Sequence, residues 1–230
     1  MTDYITNTAE LTSVADAIRT KARTTGALEF PADFISAVNG IKFRRIQSIA
    51  LDGDTYFDTG LKATWDMNFR MDIIVTVKGI VQYFFGVKDA TATSDAGANA
   101  ISQTTSNYLK RDYYASSKTN SSAVADLTNI RCYYVYRHNF RIDYAATSQT
   151  VSATAKTAGE STGTMYVGCY NLMGVPTSPT TGSLYRFTIY DDDEVLHDYM
   201  PAQDDAGQVC LYDTVTGTAL YPKKISDQTA

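Results

Sequence analysis

Apolar residues along this chain follow two periods, and the change falls near residue 44. Before it, Leu11, Val14, Ala15, Ile18 and Ala22 recur at helical spacing. Asn7 stands where a cap is needed, Glu10 completes a capping box, and Gly26 supplies a stop. Pro31 suits the first residue of a second helix, whose face is Phe34, Ile35 and Val38 before Gly40 ends it. The pattern predicts a small helical hairpin within residues 1–43. Two helices of roughly 15 and 9 residues cannot bury enough apolar surface to fold alone. Their faces must therefore dock, either on the chain's own sheet or on copies of themselves or another protein.

From Arg44 onward, short runs rich in Val, Ile, Thr, Tyr and Phe alternate with clusters of Gly, Asp, Asn and Ser. Strands are predicted at RIQSIAL, TYFDTGL, FRMDIIVTV, VQYFFGV, IRCYYVYR, FRIDYAA, QTVSATA, GTMYVGCYN, LYRFTIYD, EVLHDYMPA, QVCLYD and TALYP. A series of short strands without helices between them makes residues 44–230 an all-β sandwich or jelly roll. RHNF and DDDE read as tight hairpin breaks. In LYRFTIY, strict alternation sends Tyr185, Phe187 and Ile189 to the core and Leu184, Arg186, Thr188 and Tyr190 to the other face. Residues 88–130 are mostly Ala, Ser, Thr, Asn and Asp, with one aromatic and basic island at YLKRDYY. They read as a loop or weak-strand excursion, the kind of segment in which binding residues concentrate.

Composition narrows the function. With 44% hydrophobic residues and 17 tyrosines the chain is too apolar and aromatic for disorder. A net charge of -5 and no dense Lys/Arg run argue against nucleic acid, whose phosphates need clustered cations. No run of 18 to 20 apolar residues suggests membrane insertion, and MTDYITNTAEL lacks the layout of a cleaved export signal. Cys132, Cys169 and Cys210 stand far apart inside apolar runs, which suits buried thiols rather than a disulfide frame or a zinc site.

Catalytic signatures are absent. No glycine-rich phosphate loop, GxSxG or HExxH occurs. A glycosidase would need two carboxylates flanking a sugar, and Asp66, Asp72, Asp143 and Glu160 are scattered candidates. The chain therefore reads as a non-enzyme, with a polysaccharide-degrading enzyme as the third alternative. In YDDDEVLHDY, calcium would find several carboxylates, but neighbours in a hairpin point in opposite directions, so a solvated turn is the expectation and no cofactor or metal is assigned. Tyrosine and tryptophan suit sugar recognition, because the apolar face of a pyranose stacks on an aromatic plane. The candidate ligand contacts are Trp65, Tyr108, Tyr113 and Tyr114.

The segment LTSVADAIRTKARTTGALEFPADFISAVNGI closely resembles the stretch LT-x-VADAIR-x-K...FP-x-x-F-x-x-A-x-x-GI of structural proteins of tailed bacteriophages and prophages, through Leu11, Ala15, Ile18, Lys21, Phe30, Pro31, Phe34, Val38 and Ile41. IALDGDTYFDTGL and LYRFTIYDDDEVLHDYMPAQDDAGQVCLYDTVTGTALYP resemble the first and last strands of concanavalin-A-like, laminin-G-like sandwiches, although Asp191, Asp192, Asp193 and Glu194 stand where such domains often read D-N-G. The resemblance implies a virion protein made in the bacterial host cytoplasm and associated with tail, baseplate or fibre. Its lectin-like sandwich would bind a host-surface glycan. A purely structural capsid decoration or head fibre is the alternative. Leu11, Val14, Ile18, Phe30, Phe34, Ile35 and Val38 would form the assembly interface with other virion proteins. The chain is expected to be a homo-oligomer, trimeric on a fibre or capsid axis.

Overall fold

The β-branched and aromatic runs become strands, and the computed structural model describes residues 12, 15–20, 42–88, 98–114, 116–123, 129–136, 139–142, 149–150 and 159–228. The strands are β1 (Phe43–Arg45), β2 (Ile49–Asp52), β3 (Thr55–Thr64), β4 (Met67–Val75), β5 (Gln82–Lys88), β6 (Ala98–Gln103) and β7 (Tyr108–Tyr114). They continue as β8 (Ser116–Ala123), β9 (Arg131–Tyr136), β10 (Asn139–Ile142), β11 (Gln149–Thr150), β12 (Glu160–Val167), β13 (Tyr170–Leu172) and β14 (Val175–Thr177). The last are β15 (Thr181–Asp191), β16 (Glu194–Asp204), β17 (Val209–Asp213), β18 (Ala219–Leu220) and β19 (Lys223–Lys224).

Two compact units divide the chain: Met1–Arg44 with Asp204–Gly207, and Arg45–Gln203 with Gln208–Ala230. In the first, residues 15–20 are helical, as their spacing predicts. The Thr20 hydroxyl donates to the Asp16 carbonyl one turn back at 2.8 Å, and Arg19 pairs with Asp16. Ile18 is half-buried. Leu11, Val14, Phe30, Phe34, Ile35 and Val38, and with them the second helix, lie outside the described residues.

The second unit is an antiparallel sandwich. One sheet runs β11-β10-β9-β4-β15-β16-β17-β18, with β2 also paired to β15; the other runs β19-β3-β12-β5-β6-β7-β8 and carries the β13–β14 hairpin. β13 also pairs with β5 in parallel. Alternate residues of each sheet meet in the core. Phe69, Met71 and Ile73 of β4, Val135 of β9 and Phe187 and Ile189 of β15 face Phe57, Phe85, Val87, Ile101 and Val167 from the other sheet. Phe187 is central, with its ring 5.1 Å from that of Phe85, 6.2 Å from Phe69 and 6.3 Å from Tyr199.

Strict alternation fails once in β15, with consequences for the predicted faces. The register with β4 passes from Leu184 opposite Ile73 to Arg186 opposite Asp72, so Tyr185 is an extra residue. This bulge turns Leu184 into the core while Tyr185 stays half-buried, and Phe187 and Ile189 face inward as expected. Thr188, on the opposite face, is nonetheless fully buried beneath Asp198, to which its hydroxyl donates at 3.1 Å.

Within residues 88–130, three stretches form strands despite their composition, namely β6, β7 and β8. Every residue of β6 is buried although it contains only one large aliphatic, Ile101. Small residues are needed there. A Cβ on Gly86 would lie 2.4 Å from that of Ala100 and 2.9 Å from the Tyr170 ring, which stacks on Tyr83 at 4.3 Å.

A C-terminal strap covers a satellite core. Lys223 and Lys224 pair with Tyr56 and Thr55 of β3, Lys224 bonds Asp52, Lys223 bonds Asp58 at 3.0 Å, and Ser226 donates to Asp54 from both backbone and hydroxyl. Lys224 above all holds the Asp52 carboxyl well below its usual range. Ile225 packs against Tyr56, Tyr166 and Cys169, and burial pushes the Tyr56 hydroxyl up to about 12. Ile225→Asp is expected to unseat the strap and open Cys169 to a thiol reagent within minutes under native conditions. Labelling followed by peptide mapping checks this; a Cys169 that stays protected removes the covering role of Ile225.

Candidate functional site

The strand order of the first sheet brings together residues that the sequence holds far apart. Asn139 pairs with Tyr136, Tyr136 with Asn68, Asn68 with Tyr190, and Tyr190 with Val195. Directly paired residues share a face, so two asparagine amides and two phenol rings form one row across β10, β9, β4 and β15. The strict partners of the next core row, Phe140, Val135, Phe69 and Ile189, are all buried. Tyr136 is 51% exposed and Val195 39%. A cavity of ≈ 400 Å³ opens at this end of the sheet, lined by Asn68, Asn139, Tyr134, Tyr136, Tyr190, Asp192 and Asp193 over Phe69, Val135 and Phe140. That volume falls within the range of small-ligand sites.

The walls are fixed by the sequence around them. Asp191 pairs with Glu194, leaving Asp192 and Asp193 as a two-residue turn, and Asp192 takes a left-handed φ of 47°. A short polar side chain tolerates that conformation, which a β-branched residue would not. The Asn68 amide, only 5% exposed, donates to the Asp192 carbonyl at 3.0 Å and so ties the turn to β4. Below the row, Arg70 lies over the Tyr134 ring at 5.6 Å and makes a two-pronged pair with Asp72 at 3.2 and 2.9 Å. Burial alone would depress the Arg70 guanidinium, but Asp72 overcomes it and holds the group above its ordinary value. Arg186 pairs in the same way with Asp198 at 2.7 and 2.9 Å. Among the described residues, the sheet face beside the cavity thus carries a ladder in which Arg70 and Arg186 are each neutralised by an aspartate.

The residues singled out from sequence lie elsewhere. Trp65 is 4% exposed and Tyr113 fully buried; their rings meet edge to face at 6.3 Å, and the Tyr113 hydroxyl donates to the Trp65 carbonyl at 3.0 Å. Both are interior residues, and neither offers a ring face to a ligand, which corrects their reading as ligand contacts. The reason is that YLKRDYY is strand β7 rather than a loop: Leu109, Arg111 and Tyr113 are buried on one face, and Tyr108 belongs to the other. Tyr108 is half-buried beside the β6–β7 turn, and the side chain of Tyr114 lies outside the described residues. Two of the scattered carboxylates are taken up in ion pairs. Asp72 is committed to Arg70 and Glu160 to Lys62 at 3.0 Å, while Asp143 lies outside the described residues. Among the described residues no group of three or more metal-ligating side chains is placed to hold an ion.

Chemically, amides that donate and accept beside phenol rings suit a polyhydroxylated ring. The two carboxylates among the described lining residues, Asp192 and Asp193, are neighbours on one turn, so this pair does not flank a glycosidic bond from opposite sides.

No protein-family model matches the sequence, and no curated protein does. Among solved structures the sandwich is similar to a provisionally assigned carbohydrate-binding protein from Bacteroides ovatus, with a TM-score of 0.52 at 10% identity over 78% of this chain and 59% of that one. The CBM40 module of the Ruminococcus gnavus IT-sialidase, bound to α2,3-sialyllactose, gives 0.46 at 13% identity over 66% and 92%. The NanB sialidase of Streptococcus pneumoniae gives 0.47 at 9% identity over 79% and 38%. The likeness to the Bacteroides ovatus protein is one of architecture: two antiparallel sheets packed as a β-sandwich. It defines the fold alone.

Proposed function

We propose that the chain is a non-catalytic carbohydrate-binding protein of a tailed-phage virion, which engages a host-surface glycan through the cavity between β4, β9, β10 and the β15–β16 turn. One observation carries the sugar-binding part: the row Asn139, Tyr136, Asn68, Tyr190, which sets exposed aromatic surface beside fixed amides at the mouth of that cavity. The sandwich is shared with a protein described as carbohydrate-binding. The virion part rests on the N-terminal segment, whose Leu11, Val14, Ile18, Phe30, Phe34, Ile35 and Val38 would attach the sandwich to other virion proteins or to copies of itself. Weak single-site affinity would then be raised by multivalent display.

A glycan array with the purified chain tests the site. Tyr136→Ala is expected to lower binding at least about tenfold, because stacked aromatics dominate such contacts. Its thermal midpoint should stay close to the parent's, since the side chain is half exposed. Glycan binding that survives the substitution would refute the assignment. Immunogold labelling of purified particles tests the virion role: signal on tails or fibres supports it, and particles devoid of the chain reject it.

A further inference from the structure

The spacing of the aromatic rings at the cavity sets the length of the ligand it takes, an inference that rests on the sugar-binding reading. Tyr136 of β9 pairs with Asn68 of β4, and Asn68 pairs with Tyr190 of β15. The two tyrosines therefore stand two strand spacings apart, about 9.5 Å, with one strand between them. Both line the cavity. A sugar ring is comparable in width to a six-membered aromatic ring, so one sugar cannot lie against both.

That spacing is fixed by the sheet. Asn68 is 5% exposed, and its amide bonds the Asp192 carbonyl at 3.0 Å, which ties β4 to the turn that follows Tyr190. Val135, Phe69 and Ile189, each next to a member of this row, are buried in the core, so a slip of register would expose them. The size of the cavity agrees with the spacing. Its volume of ≈ 400 Å³ is more than twice the roughly 150 Å³ that admits a benzene ring.

The direction follows from Tyr134, two residues from Tyr136 on β9. Arg70, pinned by Asp72, already lies over its ring at 5.6 Å. One face of that ring is spent, which leaves the run from Tyr136 to Tyr190, across the strands, as the longer platform.

We infer that the cavity binds a stretch of linked sugars reaching from Tyr136 to Tyr190, at least two units long, rather than a single sugar.

The test is calorimetric titration of the whole chain with neutral sugars: glucose, galactose and N-acetylglucosamine, each as the monomer and as a linear tetramer. In at least one series the tetramer is expected to bind about tenfold tighter than its monomer, because a second ring comes into contact. A site for one sugar would give the tetramer a gain of roughly fourfold at most, one for each unit that could occupy it. Tyr190→Ala should bring the gain down to that level. Because Tyr190 is half-buried, Tyr190→Leu is measured beside it; leucine keeps apolar bulk against the sheet, removes the flat ring and should have the same effect.

A gain of fourfold or less in every series that binds, or a larger gain that survives loss of the Tyr190 ring, would overturn the inference; if Tyr136→Ala still weakens binding, the sugar site itself stands. Binding insensitive to Tyr136→Ala, or no binding in any series, would overturn the inference and count against the site as well.

Discussion

Gly182→Ala is expected to cost at least about 4 kcal/mol of stability, enough to leave most of the chain insoluble on expression. Gly182 lies in β15 between Leu51 of β2 and Val75 of β4, paired with both. A Cβ there would sit 1.9 Å from the Ile74 carbonyl oxygen and 3.0 Å from its carbon. Relief would require β15 to move away from β4, yet β2 holds it from the other side. The clash is with backbone, so no rotamer change removes it. Gly60→Ala is the control: Gly60 has φ 70° but nothing within 4 Å of its missing Cβ. That variant should carry only the left-handed strain, roughly 1–2 kcal/mol. Urea unfolding of the two variants decides between them; similar midpoints would show that β15 can shift and that the close approach at Gly182 is not a constraint.

Asp213→Asn is expected to lower stability by about 3 kcal/mol, roughly 10 °C in thermal midpoint for a chain of this size. The carboxylate is fully buried at the end of β17. It accepts from the Asp198 and Val215 backbone N–H groups at 3.0 Å each, from the Thr216 hydroxyl at 2.6 Å, and it meets His197 Nδ1 at 2.7 Å. An amide of the same shape turns one accepting oxygen into a donor facing donors. Burial would raise this carboxyl's pKa, but the bonds from Thr216, Asp198, His197 and Val215 outweigh it and hold the group below its usual range. A depressed folded pKa means that unfolding takes up a proton as the pH falls. The stabilisation is therefore complete above the unfolded value of about 3.9 and is lost as the pH drops through the lower folded value. The gap between parent and variant should be full at pH 7 and shrink in acid below about pH 4. A gap that stays constant in acid would mean that shape rather than charge is what the site needs.

The strands were legible because long alternating runs such as FRMDIIVTV and LYRFTIYD carry their own period, and they fall on β4 and β15. The hairpin break at DDDE was legible from its polarity. Two features were hidden for opposite reasons. ANAISQ has no branched or aromatic excess, because the space above Gly86 and Ala100 is taken by Tyr170, a residue far away in sequence. Tyr185 looked like a core residue because a bulge leaves no trace in the pattern. The candidate site was half legible at best. Tyr134 and Tyr136, two apart around the inward Val135, signal two outward rings on one strand face. Their union with Asn68 and Tyr190 depends on β4 lying between β9 and β15, a non-local order that no local period encodes. Trp65 and Tyr113 were singled out by residue type, and residue type does not say which way a side chain turns.

The state of the cysteines bears on how the protein can be followed experimentally. Cys169 and Cys210 are buried, half-buried Cys132 has a thiol that burial and then Asp72 push up to about 12, and none of the three is in a disulfide. The native chain is thus nearly silent toward maleimides at neutral pH. A cysteine introduced at Met173, 55% exposed at the tip of the β13–β14 hairpin on the sheet opposite the cavity's own, would take a single fluorophore without removal of any native thiol. Individual copies could then be tracked on a cell surface with the candidate sugar site left unmodified.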